Sequence, residues 1–368
     1  MAPEETGRVR LDMLPGIDGD ALLLQYTVPP GSPGAGTRRI LIDGGRTGSY
    51  PLFTPLLAGP DGSRPALDVV VVTHVDQDHV LGILALLEDP DRPEIRDVWF
   101  NGYDHLIGDG FEHFGPRDGE LLTDAIEHQQ LGWNTAFARR SVLAGRSAEP
   151  FGDGSVFTVL SPDRDQLRRL EPVWVKECAR HGLIPGTDPV PPAPSGFESF
   201  GSPDIEALAA TPFSPDSSRT NATSIGFLFE YARVRLVFTG DGSDARLAAS
   251  LRPLAEAAGG RLRIDALKVS HHGSAANLSR ELLELLDCPR YLISTSGARH
   301  HHPDAAAIAR ILKYGGEHKE LVFNYAERAA AWDVAEWRQL YGYTVRGPDP
   351  GADGFTALHF PTAGTADG

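Results

Sequence analysis

The stretch DVVVVTHVDQDHVLG, Asp68 to Gly82, restricts what this chain can fold into more than any other. Its first half is apolar and β-branched at successive positions, so both faces of the strand need cover. That is the pattern of a central strand in an α/β sheet. Its second half crowds His74, Asp76, Asp78 and His79 into six positions. A loop leaving a buried strand can aim alternating side chains at one point. Imidazole and carboxylate donors together suit Zn, Mn or Fe, and extra carboxylate shifts the preference towards harder ions. An ordinary strand-to-helix turn would use one aspartate as an N-cap. It leaves a second aspartate and two histidines without a purpose.

Three more apolar runs end in similar groups. LVFTGD ends at Asp241, LKVSHHGS presents His271 and His272, and YLISTSGARHHHP presents His300, His301 and His302. One such ending is an ordinary turn. Four of them point to convergence, because sites in layered α/β folds gather beyond strand ends. Other strand-like runs are GDALLLQY, RRILIDGG, IRDVWF, SVFTVLSP, IDALKVS and RYLIST, with a hairpin in TSIGFLFEYARVRLVFTGD turning at Tyr231 and Ala232. Helical spacing marks VLGILALLED behind Gly82, ELLTDAIEHQQLGWNTAFARR, LSRELLELL and AAAIARILKYG. Between Arg164 and Ser218 the chain loosens, and DPVPPAPSGFESFGSPD is too rich in Pro, Gly and Ser to pack as an element.

At 368 residues and 41% hydrophobic, the chain can build a sizeable core. It reads as one domain over residues 1–368, with residues 101–220 an insertion or lid within it. Cys178 and Cys288 make neither a disulfide framework nor a zinc-type pair. No stretch approaches the roughly 18 apolar residues of a membrane span, and no signal-like run follows the charged start. A cytoplasmic protein is expected. A net charge of −16 argues against an extended duplex-binding surface. The imbalance is also local, since Glu88 to Glu127 holds twelve Asp or Glu against three Arg.

The ordered motifs resemble a metallo-β-lactamase-fold hydrolase, and within that superfamily the hydrolase domain of ComEC-type DNA-uptake proteins. The resemblance is carried by GIDGDALLL, ILIDGG, the His-x-Asp-x-Asp-His loop from His74 to His79, NATSIGFLFE before LVFTGD, LKVSHHGS, and STSGARHHHP. In order they span about residues 9 to 325. The resemblance implies a four-layer αββα sandwich with one or two divalent ions, Zn or Mn, at one edge. His74 and Asp76 would serve one metal, Asp78 and His79 the other, with Asp241 bridging and His271 completing the second. His272 would orient a leaving group or phosphate, and the reverse assignment of the two histidines stays open. Asp43 would be a buried acid fixing a ligand imidazole, or an ordinary strand-end turn. Two departures stand out. The superfamily's commonest loop has His where this chain has Asp76, and its middle His ligand falls where this chain has Ser161. Either a single metal is then held, or a substitute such as His105 comes from the insertion.

The activity so implied is a phosphodiesterase of nuclease type using metal-activated water. Asp78 would orient the nucleophile, Lys268 or His272 would hold phosphoryl oxygens, and Asn221, Ser224, His300 and His302 would touch substrate. The acidic surface favours a small phosphoester or a short nucleic acid over long duplex. The alternatives are a small-molecule hydrolase acting on a nucleotide, lactone or amide, and a binding or regulatory protein with a vestigial site.

Overall fold

The computed structural model describes residues 8–59, 61–107, 117–181 and 204–362. The N-terminal strands are β1 (Arg8–Met13), β2 (Leu22–Val28), β3 (Gly36–Ile42), β4 (Val69–Val71), β5 (Asp97–Trp99) and β6 (Gly132–Trp133). After them come β7 (Ser147–Ala148), β8 (Val156–Ser161), β9 (Gly226–Tyr231), β10 (Val234–Phe238), β11 (Leu262–Arg263), β12 (Ala266–Lys268) and β13 (Leu286–Asp287). The last are β14 (Arg290–Ile293), β15 (Lys319–Phe323), β16 (Tyr343–Arg346) and β17 (Thr356–Pro361). One sheet runs β17-β1-β2-β3-β4-β5-β6 and the other β16-β15-β14-β12-β10-β9-β8-β7, with β11 and β13 paired apart.

Alternation along the strands explains the layering. In β4, Val69 and Val71 join the core between the sheets, whereas Val70 and the following Val72 join the core under the outer helices. In β10, Leu236 and Phe238 face the inter-sheet core and Val237 faces the opposite helical layer. Strands covered on both faces cannot show a polar side, which is why their sequences read as unbroken apolar runs. The helices α1 (Ser49–Leu57), α2 (Gln77–Glu88), α3 (Tyr103–Ile107), α4 (Arg117–His128) and α5 (Arg164–His181) follow the first strands in the chain. The later helices are α6 (Ile205–Ala209), α7 (Asp244–Ala257), α8 (Arg280–Glu284), α9 (Ala305–Tyr314), α10 (Ala326–Trp332) and α11 (Ala335–Tyr341). Among the described residues no helix is long and apolar enough to cross a membrane.

Several expectations need correcting. The helix expected over 120–140 stops at His128, because Gln130 and Asn134 take positive φ and Gly132 lies too close to the Arg96 carbonyl for any side chain, pairing with β5 instead. The loosened segment opens with the helix α5, and α6 follows it; the Pro-rich stretch between them falls largely outside the described residues. The strands β15 to β17, past residue 315, and β1 at the start carry no run singled out above. β17 returns to the first sheet and pairs antiparallel with β1, Leu358 opposite Leu11. The hairpin turn is as expected: Tyr231 pairs with Val234, and Ala232 sits at φ 53°.

Gly82 does not open a helix; it lies inside α2. A methyl group there would collide with the Gly44 backbone, while Gly82 N–H donates to the Gly45 carbonyl at 3.1 Å. This close approach locks the start of α2, with Asp78 and His79, onto the loop after β3. Gly82→Ala should therefore cost about 1–3 kcal/mol or more, the usual range for overpacking. Chemical denaturation of the purified variant measures it, and an unchanged midpoint contradicts the packing argument.

Candidate metal centre

Three strand ends and the start of one helix meet at one edge. His74 follows β4, Asp241 follows β10, His271 and His272 follow β12, and Asp78 and His79 occupy the first turn of α2. Around Asp241 Oδ2 stand four imidazole Nε2 atoms: His79 at 3.3 Å, His271 at 3.7 Å, His272 at 3.7 Å and His74 at 3.9 Å. The Nε2 atoms of His74, His79 and His272, and Asp241 Oδ1, are buried with no hydrogen-bond partner. Leaving such groups unsatisfied costs about 1–3 kcal/mol each, so a fold keeps them together only for something that binds there. Two donor groups, His74–His79–Asp241 and Asp78–His79–His272, have ligand atoms close enough to share an ion. The residues fit a divalent cation.

The far side of each imidazole is fixed. His79 Nδ1 lies 2.8 Å from Asp43 Oδ2, and Asp43 also accepts from the Thr73 N–H and hydroxyl at 2.8 Å each. Asp43 is thus the buried acid that aims His79, with its backbone at φ 57° straight after β3. His272 Nδ1 faces the Ser294 carbonyl at 3.0 Å and Asp20 Oδ1 at 3.3 Å. His271 Nδ1 meets Asn277 Oδ1 at 3.0 Å. Such partners set the tautomer and ring orientation of a metal-binding imidazole. Asp76 sits at the N-cap of α2 and makes no side-chain capping bond, so the ordinary-turn reading fails there. Instead its Oδ2 lies 3.5 Å from His74 Nε2, at a solvent-facing position.

Other assignments read from the motifs change on this geometry. His272 rather than His271 enters the donor groups: it is 1% exposed, and its Nε2 lies 3.7 Å from both Asp78 and Asp241. Lys268 does not face the opening, because it is buried and pairs with Asp20 at 2.7 Å. Ser224 is fully buried, accepts from the Asp241 N–H at 3.2 Å, and so supports that loop instead of meeting substrate. Asn221 donates to Asp216 Oδ2 at 2.8 Å. His302 packs 5.3 Å from the His271 ring, with His300 6.1 Å further out, so both stay at the rim. Ser161 bridges the Ser224 carbonyl and the Gly226 N–H and contributes to no donor group. His105 lies against Trp133 and Asn134 and contributes to none either.

Asp20, Arg46 and Asp216 join the site without having stood out in the sequence. Asp20 links Lys268 to His272; Arg46 is bound to Asp18 at 2.9 Å and reaches Asp78 at 3.7 Å; Asp216 lies 3.6 Å from His271. Asp20 in GIDGD and Arg46 directly after IDGG are visible as charges flanking buried runs. Nothing in the sequence says what they face.

Charge is held tightly here. Burial opposes ionisation of Asp241, yet His79, His272 and His271 hold its carboxyl well below the ordinary value. Burial likewise disfavours a charged His79, but Asp241 and Asp43 raise it well above the usual imidazole value. His271, against the pull of burial, is pushed up to about 9 by Asp241 and Asp216.

A metallo-β-lactamase superfamily model matches residues 34–98, which carry β3, Asp43, the His74–His79 loop, α2 and β5. This protein's two large sheets, flanked by helices, are consistent with the metallo-β-lactamase sandwich. Solved structures with which it shares low similarity include the metallo-β-lactamase fold protein YhfI from Bacillus subtilis, at 11% identity over 95% of this chain and 99% of that one, TM-score 0.39. Zn(2+)-bound PqqB from Methylobacterium extorquens gives 13% identity over 92% and 86%, TM-score 0.37. A diphosphatase of the PhnP family gives 12% identity over 96% and 97%, TM-score 0.38. No curated protein matches significantly. The cluster lies beyond the ends of β4, β10 and β12, and Ser161 at the end of β8 is engaged in structural hydrogen bonds.

Two outcomes follow. Lys268→Met strands Asp20 in the interior and should cost about 3–5 kcal/mol, with Lys268→Met/Asp20→Asn recovering much of it. Denaturation midpoints of the three proteins test this, and a silent single variant refutes it. In metal-free protein, the raised His271 stabilises fully below the unfolded imidazole pKa near 6.5 and loses that contribution as pH rises through about 9. A cation bound beside a protonated His271 meets repulsion that favours loss of this proton, so metal affinity should rise across the same window. Titration calorimetry in buffers of different ionisation enthalpy reads the released protons directly.

Proposed function

We propose that the protein is a metal-dependent hydrolase of phosphoester bonds, a phosphodiesterase acting on short oligonucleotides or small diesters. The observation that carries this reading is the ring of unpartnered imidazole nitrogens around the Asp241 carboxylate. His74, Asp76, Asp78, His79, Asp241 and His272 would hold one or two divalent ions, Zn or Mn, with His271 beside them. An ion held there lowers the pKa of water towards neutrality and offsets charge developing on phosphoryl oxygens.

The chain's own residues do the rest. Asp43 and Asp20 keep His79 and His272 aimed at one point. Asp78, near His272 and Arg46, is held ionised despite its burial, chiefly by His79 and His272; it can orient an attacking water and take its proton. Arg46 sits 3.7 Å from Asp78, where its charge also favours an anionic substrate. At the rim His300 and His302 can donate to a leaving group. The ordered likeness to ComEC-type hydrolase domains supports phosphodiesters, and the charge of −16 supports short substrates, since each further phosphate would meet repulsion. The same charge is what favours a small-molecule lactone or amide hydrolase as the second reading.

Purified protein should carry one to two divalent ions per chain, and chelation should abolish turnover. Asp78→Ala and His79→Ala should each lower kcat by about a hundredfold or more while unfolding stays cooperative. A metal-supplemented screen of plasmid, single-stranded DNA, dinucleotides, a chromogenic diester, a lactone and a lactam decides the class. Salt-sensitive plasmid degradation without small-ester turnover restores a true nuclease. Turnover of only the lactone or lactam removes the protein from the phosphodiesterases.

A further inference from the structure

A second cavity, of about 610 Å³, is lined by Arg139, Arg140, Arg164, His105, Trp133 and Ser141, with Asp104 and Glu127 in its wall. In a chain of net charge −16 this gathering of guanidinium groups needs a reason. Of the three arginines in another surface hollow, Arg10 and Arg96 are paired with Asp12 and Asp68, and Arg39 donates to the Pro65 and Leu57 carbonyls. Among the described residues Arg139 and Arg140 have no carboxylate partner. Arg164 spends one N–H on the His105 carbonyl at 3.0 Å and forms no ion pair among the described residues. Behind them Arg146 is depressed by burial and by the positive charge of Arg140 and Arg164.

The cavity is built, not a gap between loops. Asn134 is fully buried, its Oδ1 accepts from the Phe100 N–H at 2.9 Å, and its Nδ2 therefore faces His105 Nε2 at 3.3 Å. An amide nitrogen only donates, so Nε2 accepts and the neutral ring carries its proton on Nδ1. Burial holds His105 below the ordinary imidazole value, which keeps it neutral. That Nδ1–H is buried and turned towards the Arg139 carbonyl. Ala138 and Arg139 are both held at positive φ, 55° and 58°, with the Arg139 N–H donating to the Asn134 carbonyl at 2.9 Å. Non-glycine residues rarely accept that conformation. Three cations, the His105 and Trp133 rings, and the carboxylates of Asp104 and Glu127 thus line one space, which lies within the ~300–1,000 Å³ of a ligand pocket.

Its position ties it to the metal centre. β4, β5 and β6 are parallel neighbours; His74 follows β4, His105 lies on the helix after β5, and Trp133 is in β6. The strands that lead to the two sites, β4 and β6, thus stand two places apart in one sheet. We propose that this cavity is a phosphate-binding subsite, taking the flanking phosphate of a nucleotide or short oligonucleotide whose scissile ester lies at the metal centre. This rests on the phosphodiesterase reading for its purpose but not for its binding chemistry.

The test is titration calorimetry with adenosine 5′-monophosphate on the unaltered protein, His79→Ala, Arg139→Ala/Arg140→Ala, and the three changes combined. Both arginines are exposed loop residues, so the double variant should keep its unfolding midpoint. Binding should survive His79→Ala, weaken with added salt, and fall at least tenfold whenever the arginines are removed. The proposal is overturned if the arginine variant binds as tightly as the unaltered protein, if His79→Ala alone abolishes binding, or if the unaltered protein does not bind. Arginine-dependent binding without turnover of any phosphoester would leave the subsite standing and remove the hydrolase reading alone.

Discussion

The structure depends on a buried carboxylate that cannot be satisfied by its own fold. Asp241 sits 2% exposed at the end of β10, ionised against its burial by the imidazoles around it. In a low-dielectric setting an isolated carboxylate would take up a proton, so the cluster survives only because opposite charge is held within about 4 Å, where interaction is strong. Protons on His79 and His271 supply that charge without metal, and a divalent cation would supply it more compactly. Each imidazole then needs its remote nitrogen anchored, which accounts for Asp43 behind His79 and for Asp20 behind His272.

That requirement propagates into the scaffold. Asp20 comes from the loop before β2 and Lys268 from the end of β12, so their pair ties the first sheet to the second through the site. Ser294 after β14 joins the same network through its carbonyl to His272 and its hydroxyl to the Gly19 carbonyl. The return of β17 to β1 closes the first sheet at its far side. Strand ends held from both sheets can keep several donors convergent because each is attached to packed β structure instead of a free loop.

Ser161 has a structural use of its own. At the end of β8 a side chain can point either to the metal edge or into the helix layer. Ser161 takes the second option, filling its hydrogen bonds with the Ser224 carbonyl and the Gly226 N–H and sitting where a side chain on Gly226 would be. A small hydroxyl suits that space. Asp76, half-buried, lies 3.5 Å from His74 on that side of the cluster.

Much was legible in the residues themselves. The apolar runs of β4 and β10 marked two-sided strands, and the packet from His74 to His79 with Asp241 marked side chains that converge, because local spacing sets which side chains leave a strand end together. The residues also singled out Asp43 and the pair His271–His272. They could not choose between those two histidines: both sit at positive φ in one tight turn, and which ring turns inward depends on Asp20 and the Ser294 carbonyl, distant in sequence. Nor could they show that Lys268 and Ser224 face the interior, since a lysine or serine beside a motif reads the same whether it meets substrate or a buried partner. The helix expected over 120–140 broke because Gly132 had to approach β5, a contact with no local signature. Identity and spacing were local properties and belonged to the sequence; orientation, burial and charge pairing arise between segments hundreds of residues apart, and only the tertiary structure decided them.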